Sequence, residues 1–310
     1  MPLKLGTNGI ALPYSKAYLG TNLIYEMKKP GRFVCVGDSG KSYYSLDGLN
    51  WTAMTGLADT YYYGVAYGNG RFVCVGYDGS SYYSTDGETW NVMIGAGGTL
   101  KDVVYGNGRF VCVGNEGKSY YSEDGETWTA ISGLNSIADF EGIAYGNGKF
   151  VCVGYHTGSS YNSAYLVTNR WNQMSGGNTR KRYNSVAYGK DKFVSVGYEK
   201  NSHYSLDGET WTGSTSGLPS TYFNSITYGN DRFVTVGRGG VSYYSIDGLT
   251  WTSGSHGLTS VAYRAVTYGN DRFVIVGQSG NSYYSIDGTS WTAMSGLGNI
   301  DYYGVAYGEV

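Results

Sequence analysis

The sequence predicts an all-β fold, a seven-bladed β-propeller of four-stranded antiparallel blades, on three observations. First, seven tryptophans, at 51, 90, 128, 171, 211, 251 and 291, recur at intervals of 38 to 43 residues. Second, seven phenylalanines, at 33, 72, 110, 150, 193, 233 and 273, open an equivalent apolar phrase at the same interval. Third, the repeat is permuted at its ends, so that the first unit lacks a strand which reappears after the last unit. A fixed period of this size, with one supersecondary unit per period, indicates a repeat architecture.

Each unit supplies four short strands, A to D. In the second unit, strand A is Gly64-Val65-Ala66-Tyr67, followed by the turn Gly68-Asn69-Gly70. Strand B is Arg71-Phe72-Val73-Cys74-Val75, and a loop around Asp78-Gly79 leads to strand C, Ser81-Tyr82-Tyr83-Ser84. Asp86-Gly87 then turns the chain into strand D at Trp90. Asn-Gly and Asp-Gly between apolar alternations are the strongest short hairpin signals, and four such strands per period read as a propeller blade. The chain enters the repeat at Gly31-Arg32-Phe33, which is already strand B, while Tyr303-Gly304-Val305-Ala306-Tyr307 is a strand A with no B after it. The C-terminal strand should therefore pair with the N-terminal B-C-D set and leave no open edge at the seam. This divides the chain into an N-terminal attachment segment, 1–28, expected to be a β-hairpin, and the propeller, 29–310.

Composition agrees. Gly is 50 of 310 residues, Pro only 4 and Tyr 34, as many short strands joined by tight turns require. A net charge of −2 gives no basic footprint for nucleic acid. No apolar run is long enough to insert into a membrane. The cysteines Cys35, Cys74, Cys112 and Cys152 share one place in strand B of successive units, so neighbours should stand too far apart for a disulfide.

The C–D turn reads Ser45-Leu46-Asp47-Gly48-Leu49-Asn50-Trp51 and recurs at Ser84–Trp90, Ser122–Trp128, Ser205–Trp211, Ser245–Trp251 and Ser285–Trp291. It resembles the Asp-box, or bacterial neuraminidase repeat, with one residue fewer between Asp and Trp. The resemblance covers residues 31 to 310 and implies a fold, with the Asp bonding inside its own turn and the Trp filling the space between blades. Asp-box propellers include sialidases, other glycosidases, photosystem assembly factors and sorting receptors, so the resemblance does not choose an activity. The fourth unit departs: Ser163 to Trp171 carries no box, and its B–C loop, Tyr155 to Asn162, is long. Before the repeat, Ser15-Lys16-Ala17-Tyr18-Leu19-Gly20-Thr21-Asn22-Leu23-Ile24-Tyr25 resembles a strand–turn–strand phrase of bacteriophage tail and fibre proteins. That likeness implies a virion component, assembled in the bacterial host cytoplasm.

The A–B turns repeat almost unchanged and set Arg32, Arg71, Arg109, Lys149, Lys192, Arg232 and Arg272 in a ring, on the same face as the box aspartates, where pairing between them is expected. The opposite face varies. Four residues before each strand A tyrosine stand Tyr63, Lys101, Glu141, Asn184, Asn224, Arg264 and Tyr303, which should ring the channel mouth as a ligand-binding surface. Loops should add Tyr77, Asp78, Glu116, Tyr155, His156, Arg182, Tyr198, Glu199 and Arg238. Rigid tyrosines among adaptable polar groups suit recognition.

The expected function is a non-enzymatic phage virion protein, a tail or fibre component, that recognises a host-surface glycan or protein receptor through this face. Residues 1–28 and the invariant face would contact other virion proteins in a multimeric assembly. One alternative is a purely structural virion protein. Another is a sialidase-like glycoside hydrolase, with Arg182, Arg238 and Arg264 converging and Glu141 and Glu199 as carboxylates. No cofactor is expected. The histidines His156, His203 and His256 lack metal-ligand spacing, so no metal is expected either.

Overall fold

The computed structural model describes residues 16–19, 22–26, 31–156, 162–167, 170–173, 182–214 and 217–310. Among them are seven four-stranded sheets and one separate two-stranded sheet. The two-stranded sheet is an antiparallel hairpin of Lys16–Leu19 with Asn22–Glu26. The rest of the proposed attachment segment lies outside the described residues.

Every blade runs A-B-C-D in space, and in six of them in sequence as well. Blade two, for example, is Tyr62–Gly68, Arg71–Gly76, Ser81–Ser84 and Asn91–Val92. In blade one, strand A is Tyr302–Glu309, from the far end of the chain, and it pairs antiparallel with Gly31–Gly37. Phe33 stands opposite Tyr307 and Gly31 opposite Glu309, the same register that links Phe72 to Tyr67 within blade two. The permuted ends of the sequence thus meet in one sheet.

The core lies between blades. Strand B is buried on both sides, which is why it reads as a continuous apolar run rather than an alternation. Its Phe and Cys belong to one inter-blade cluster and its two valines to the next: Val34 and Val36 of blade one pack with Tyr62, Phe72, Cys74 and Trp90 of blade two. All four cysteines are buried, and burial pushes the thiols of Cys35, Cys74 and Cys112 far above the ordinary range. Each of these fills a strand B site taken in later blades by Ser195, Thr235 and Ile275.

In blades two, three and four the tryptophan of the C–D region stitches one blade to the one before. Trp90 Nε1 donates to Ser42 Oγ, Trp128 Nε1 to Ser81 Oγ and Trp171 Nε1 to Ser119 Oγ, each at 3.0 Å. The box aspartate stays inside its own turn. Asp86 Oδ1 accepts from the backbone N–H of Glu88 and Thr89 at 2.8 and 2.9 Å, and from Ser84 Oγ at 3.0 Å. The expected pairing of the cation ring with these carboxylates is therefore not what the structure shows. Arg32 and Arg71 instead reach Glu88 and Glu126 of the next blade at 2.7 and 3.0 Å. Arg232 and Arg272 donate to the backbone carbonyls of Asp287 and Asp47 at 2.7 and 2.6 Å.

Blade four replaces its box with a tight connection. Strands Asn162–Val167 and Arg170–Gln173 pair with Val167 opposite Arg170, and the outer strand grows to four residues. The blade loses the aspartate turn and keeps the Trp171 stitch.

At the end of each strand A, a tyrosine lies across the terminal glycine of the blade before it. The Tyr105 ring covers Gly68, Tyr228 covers Gly189, and Tyr67 covers Gly308 at the seam. Only a residue without Cβ allows that approach. The Tyr-Gly pair that closes every strand A is a packing joint between blades.

Candidate functional site

The same backbone irregularity occurs in all seven blades and creates the site. Near the start of strand A, at its second residue in six blades and its fourth in blade four, the register with strand B slips. In blade two Tyr62 faces Gly76 and Gly64 faces Val75, so Tyr63 has no partner. The unpaired residues of the other blades are Lys101, Glu141, Asn184, Asn224, Arg264 and Tyr303. A β-bulge bends its strand and re-aims the extra side chain. Here it turns all seven side chains into the mouth of the central channel. Strand B must end in glycine for the bulge to form, because a Cβ at Gly76 would run into the Tyr61 carbonyl.

The seven residues predicted for the mouth do line it, as part of a cavity of about 260 Å³ that also takes in Arg182, Tyr222 and Arg238. The channel below, about 410 Å³, is walled by the seven A strands. The ring side chains lean on one another from blade to blade. Tyr303 and Tyr63 have centroids 5.5 Å apart, and Lys101 Nζ lies 4.3 Å over the Tyr63 ring. Arg182 stands 3.9 Å from Glu141 and stacks on Tyr155 at 4.1 Å. Asn184 Nδ2 donates to the Phe223 carbonyl at 2.8 Å, and Asn224 Nδ2 to the Tyr263 carbonyl at 2.6 Å. Arg264 closes the circle, 3.1 Å from Asp301 and over the Tyr303 ring at 5.6 Å.

The electrostatics are mixed. Burial raises the Glu141 carboxyl, and the charges of Lys101 and Arg182 oppose that rise. Burial also raises the Tyr303 hydroxyl, helped by Asp38. Asp38 itself is raised by burial, against its hydrogen bond from Tyr303. Beside the ring, Tyr198 and Tyr222 stack at 4.1 Å, and Arg238 lies 4.2 Å over Tyr222. Among the described residues, Arg238 has no carboxylate within salt-bridge distance.

The loop residues divide. Tyr155, Arg182, Tyr198 and Arg238 join the ring or its flank. Tyr77 is exposed and close enough to Tyr63 to raise its hydroxyl, after burial and Tyr61. Asp78, Glu116 and Glu199 do not line the mouth: they take φ values of 51°, 54° and 57° in equivalent B–C turns and are exposed. Asp and Asn tolerate that left-handed backbone, whereas Glu there is uncommon. The side chain of His156 and the tip of its loop lie outside the described residues. The three arginines considered for carboxylate binding share the mouth cavity, but of the two carboxylates only Glu141 does.

Three acidic residues escaped the sequence reading. Asp139, the second residue of the longer strand A of blade four, and Asp301, just before strand A of blade one, cap the B–C loops, accepting from the backbone N–H of Glu116 and Ser279 at 3.0 Å each. Asp102 sits inside the channel wall, where the other blades have Gly, Ser or Ala. It accepts from the N–H of Val103 at 2.8 Å and, across the blade joint, of Ile143 at 3.0 Å. Burial lifts its carboxyl to about 7 against those two bonds, with Glu141 adding to the rise. Ser185 and Ser225 make the same cross-blade contact, accepting from Ile226 and Val266 at 3.2 Å. Only the non-repeat identity of Asp102 could have drawn attention to it.

No protein-family model matches the chain, and no curated protein matches it. Solved structures do. YCF48 bound to D1 peptide superposes with a TM-score of 0.63 at 18% identity, over 82% of this chain and 88% of that one. The WD40 β-propeller domain of Doa1 gives 0.63 at 11% identity, over 80% and 86%. A catalytically inactive virginiamycin B lyase from Staphylococcus aureus with quinupristin gives 0.66 at 11%, over 75% and 83%. At such identities the likeness is one of fold, and it shows a β-propeller. These neighbours include an enzyme, so the fold leaves activity open.

Proposed function

We propose that this propeller is a non-enzymatic recognition module of a bacteriophage particle, which takes a host-surface glycan or protein epitope at its channel mouth. The observation that supports this reading is the bulge ring. The backbone device is identical in all seven blades, while the side chain it presents differs, from Tyr to Lys to Glu to Asn to Arg. A constant scaffold that projects varied groups into one cavity is built to discriminate ligands. The Tyr303–Tyr63 pair offers a flat apolar wall, and Lys101, Glu141 and Arg182 offer charge beside it. Sugar rings and short peptides both combine an apolar face with hydrogen-bonding edges. A propeller bound to a peptide among the structural neighbours suits such a use. The placement in a virion, with residues 1–28 and the opposite face toward other virion proteins, follows from the N-terminal phrase and from the chain emerging at Gly31.

The test is binding of the purified chain to host cells and to a glycan array. Tyr63→Ala with Tyr303→Ala should lower binding at least tenfold, and Thr85→Ala, on the opposite face, should leave it unchanged. Equal binding by both variants would refute the mouth as the site. Turnover of a fluorogenic glycoside by the parent chain would refute the non-enzymatic reading.

A further inference from the structure

The face opposite the mouth is not uniform. Residues at one place in the box turn, between Ser and Asp, are Leu46, Thr85, Glu123, Leu206, Ile246 and Ile286. The four aliphatic ones fall in blades five, six, seven and one, which are consecutive around the ring. They are 61%, 61%, 67% and 54% exposed in that order, among the most exposed large apolar side chains described. Leu249 and Leu49, two residues after the box aspartates of blades six and one, are partly exposed beside them. On blades two, three and five the corresponding places hold Glu88, Glu126 and Glu209, each in an inter-blade ion pair. The aliphatic side also has its backbone satisfied: Lys190 Nζ donates to the Ile246 carbonyl at 3.0 Å and Asn230 Nδ2 to the Ile286 carbonyl at 3.2 Å.

The second feature is the hairpin of Lys16–Leu19 with Asn22–Glu26. Its two strands form a sheet separate from all seven blades. A lone two-stranded hairpin is marginal in water and needs an apolar surface to pack on. Its sequence carries Tyr18, Leu19, Leu23, Ile24 and Tyr25. Only residues 27–30 join it to Gly31, which opens strand B of blade one on this same face. Five peptide steps reach at most about 18 Å, and a five-residue strand adds roughly 17 Å. Blade one is also where the aliphatic arc ends.

We propose that the hairpin Lys16–Glu26 docks on the apolar arc of its own propeller, formed by Leu46, Ile286, Ile246 and Leu206. The propeller axis is thereby fixed relative to the N-terminal attachment segment, with the mouth held outward. This inference is independent of what the mouth binds.

The experiment is hydrogen exchange on the full chain, comparing the parent with Ile246→Asp/Ile286→Asp. The parent should protect the hairpin amides at least tenfold over an unstructured peptide. The double variant should lose that protection while the blade strands keep theirs. Thr85→Asp, the matched change on blade two, should leave the hairpin protected and controls for the added charge. A Leu23→Cys/Ile286→Cys chain should form an intramolecular disulfide at a rate independent of protein concentration. Unprotected hairpin amides in the parent would overturn the proposal, as would protection unaffected by the double variant. Sedimentation showing that the arc pairs two copies, with Ile246→Asp/Ile286→Asp dissociating a dimer and sparing the hairpin, would overturn it in favour of self-association.

Discussion

Replacing Gly308 by alanine tests ring closure at a single atom. Gly308 is the penultimate residue of the C-terminal strand, and the ring of Tyr67 from blade two lies across it. An alanine Cβ would sit 2.7 Å from Cδ1 of Tyr67 and nearer still to two other ring atoms. The ring cannot swing away freely, because it also packs on Phe72 with centroids 4.9 Å apart. Forcing an extra methyl into a packed joint costs about 1–3 kcal/mol. With an unfolding entropy near 2.1 cal/mol/K per residue, a chain of this length should lose about 2–5 °C in Tm. Gly229→Ala, in the middle of the ring, meets Tyr268 in the same way and should cost the same. Gly70→Ala meets nothing within 4 Å and reports only the strain of its φ of 73°. Scanning calorimetry on the three variants decides the matter, with a Gly308→Ala/Tyr67→Ala double mutant to measure coupling. If Gly308→Ala were neutral while Gly229→Ala was costly, the seam would not be packed like the other joints. If Tyr67→Ala and Gly308→Ala were additive, the ring would not be what the methyl strikes.

Two further predictions concern pH. At Asp47, Asp86 and Asp207 burial opposes ionisation, but backbone N–H donors in the turn outweigh it and hold the carboxyls down to about 2. Their folded values lie below an unfolded value of about 3.9, so their stabilisation is complete above that pH and disappears as pH falls toward 2. In an Asp102→Asn background, where that group's titration is removed, urea midpoints should therefore hold steady from pH 7 down to about pH 4 and drop below it, and adding Asp86→Asn should shallow the drop; a midpoint falling steeply between pH 7 and 5 in that background would contradict this. Asp102 has the opposite sign, its folded value near 7 lying above the unfolded one. Its charged form is disfavoured in the fold, so stability is lost as pH rises from about 4 to about 7. Asp102→Asn should gain on the parent across that interval, and a difference that stays constant from pH 4 to 8 would refute the assignment.

The repeat carried the blade architecture openly, because turn chemistry and strand alternation are local. Asn69-Gly70 and Asp86-Gly87 mark their turns whatever surrounds them. The ring of mouth residues was legible for the same reason, since counting back from each strand A tyrosine needs only the period. Contacts made across a blade joint were not legible. Gly308 and Tyr67 are separated by most of the chain, and nothing local says that the glycine exists to receive the ring. The bulge was hidden likewise, because it depends on Gly76 clearing the Tyr61 carbonyl in a neighbouring strand. The loop acids Asp78, Glu116 and Glu199 misled because a charged residue at a loop tip looks like a ligand group, whereas its backbone angle shows it turning the chain. The face judged constant was compared by its A–B turns, which are constant. The varying places, Leu46 to Ile286 and Leu49 to Thr289, sit in the turns beside them.

The seam also sets a schedule. Strand A of blade one follows every other strand in the chain, some 270 residues after its partner Gly31–Gly37 begins. At translation rates of roughly 5–20 residues per second, about 15–50 s pass between the two. During that interval the emerging chain has an incomplete first blade, with the inner edge of Gly31–Gly37 bare and the face of blade two uncovered. A nascent chain in that state is a ready partner for an identical neighbour on the same messenger. Synthesis conditions that slow elongation over the last blade should therefore favour strand exchange between chains over closure within one.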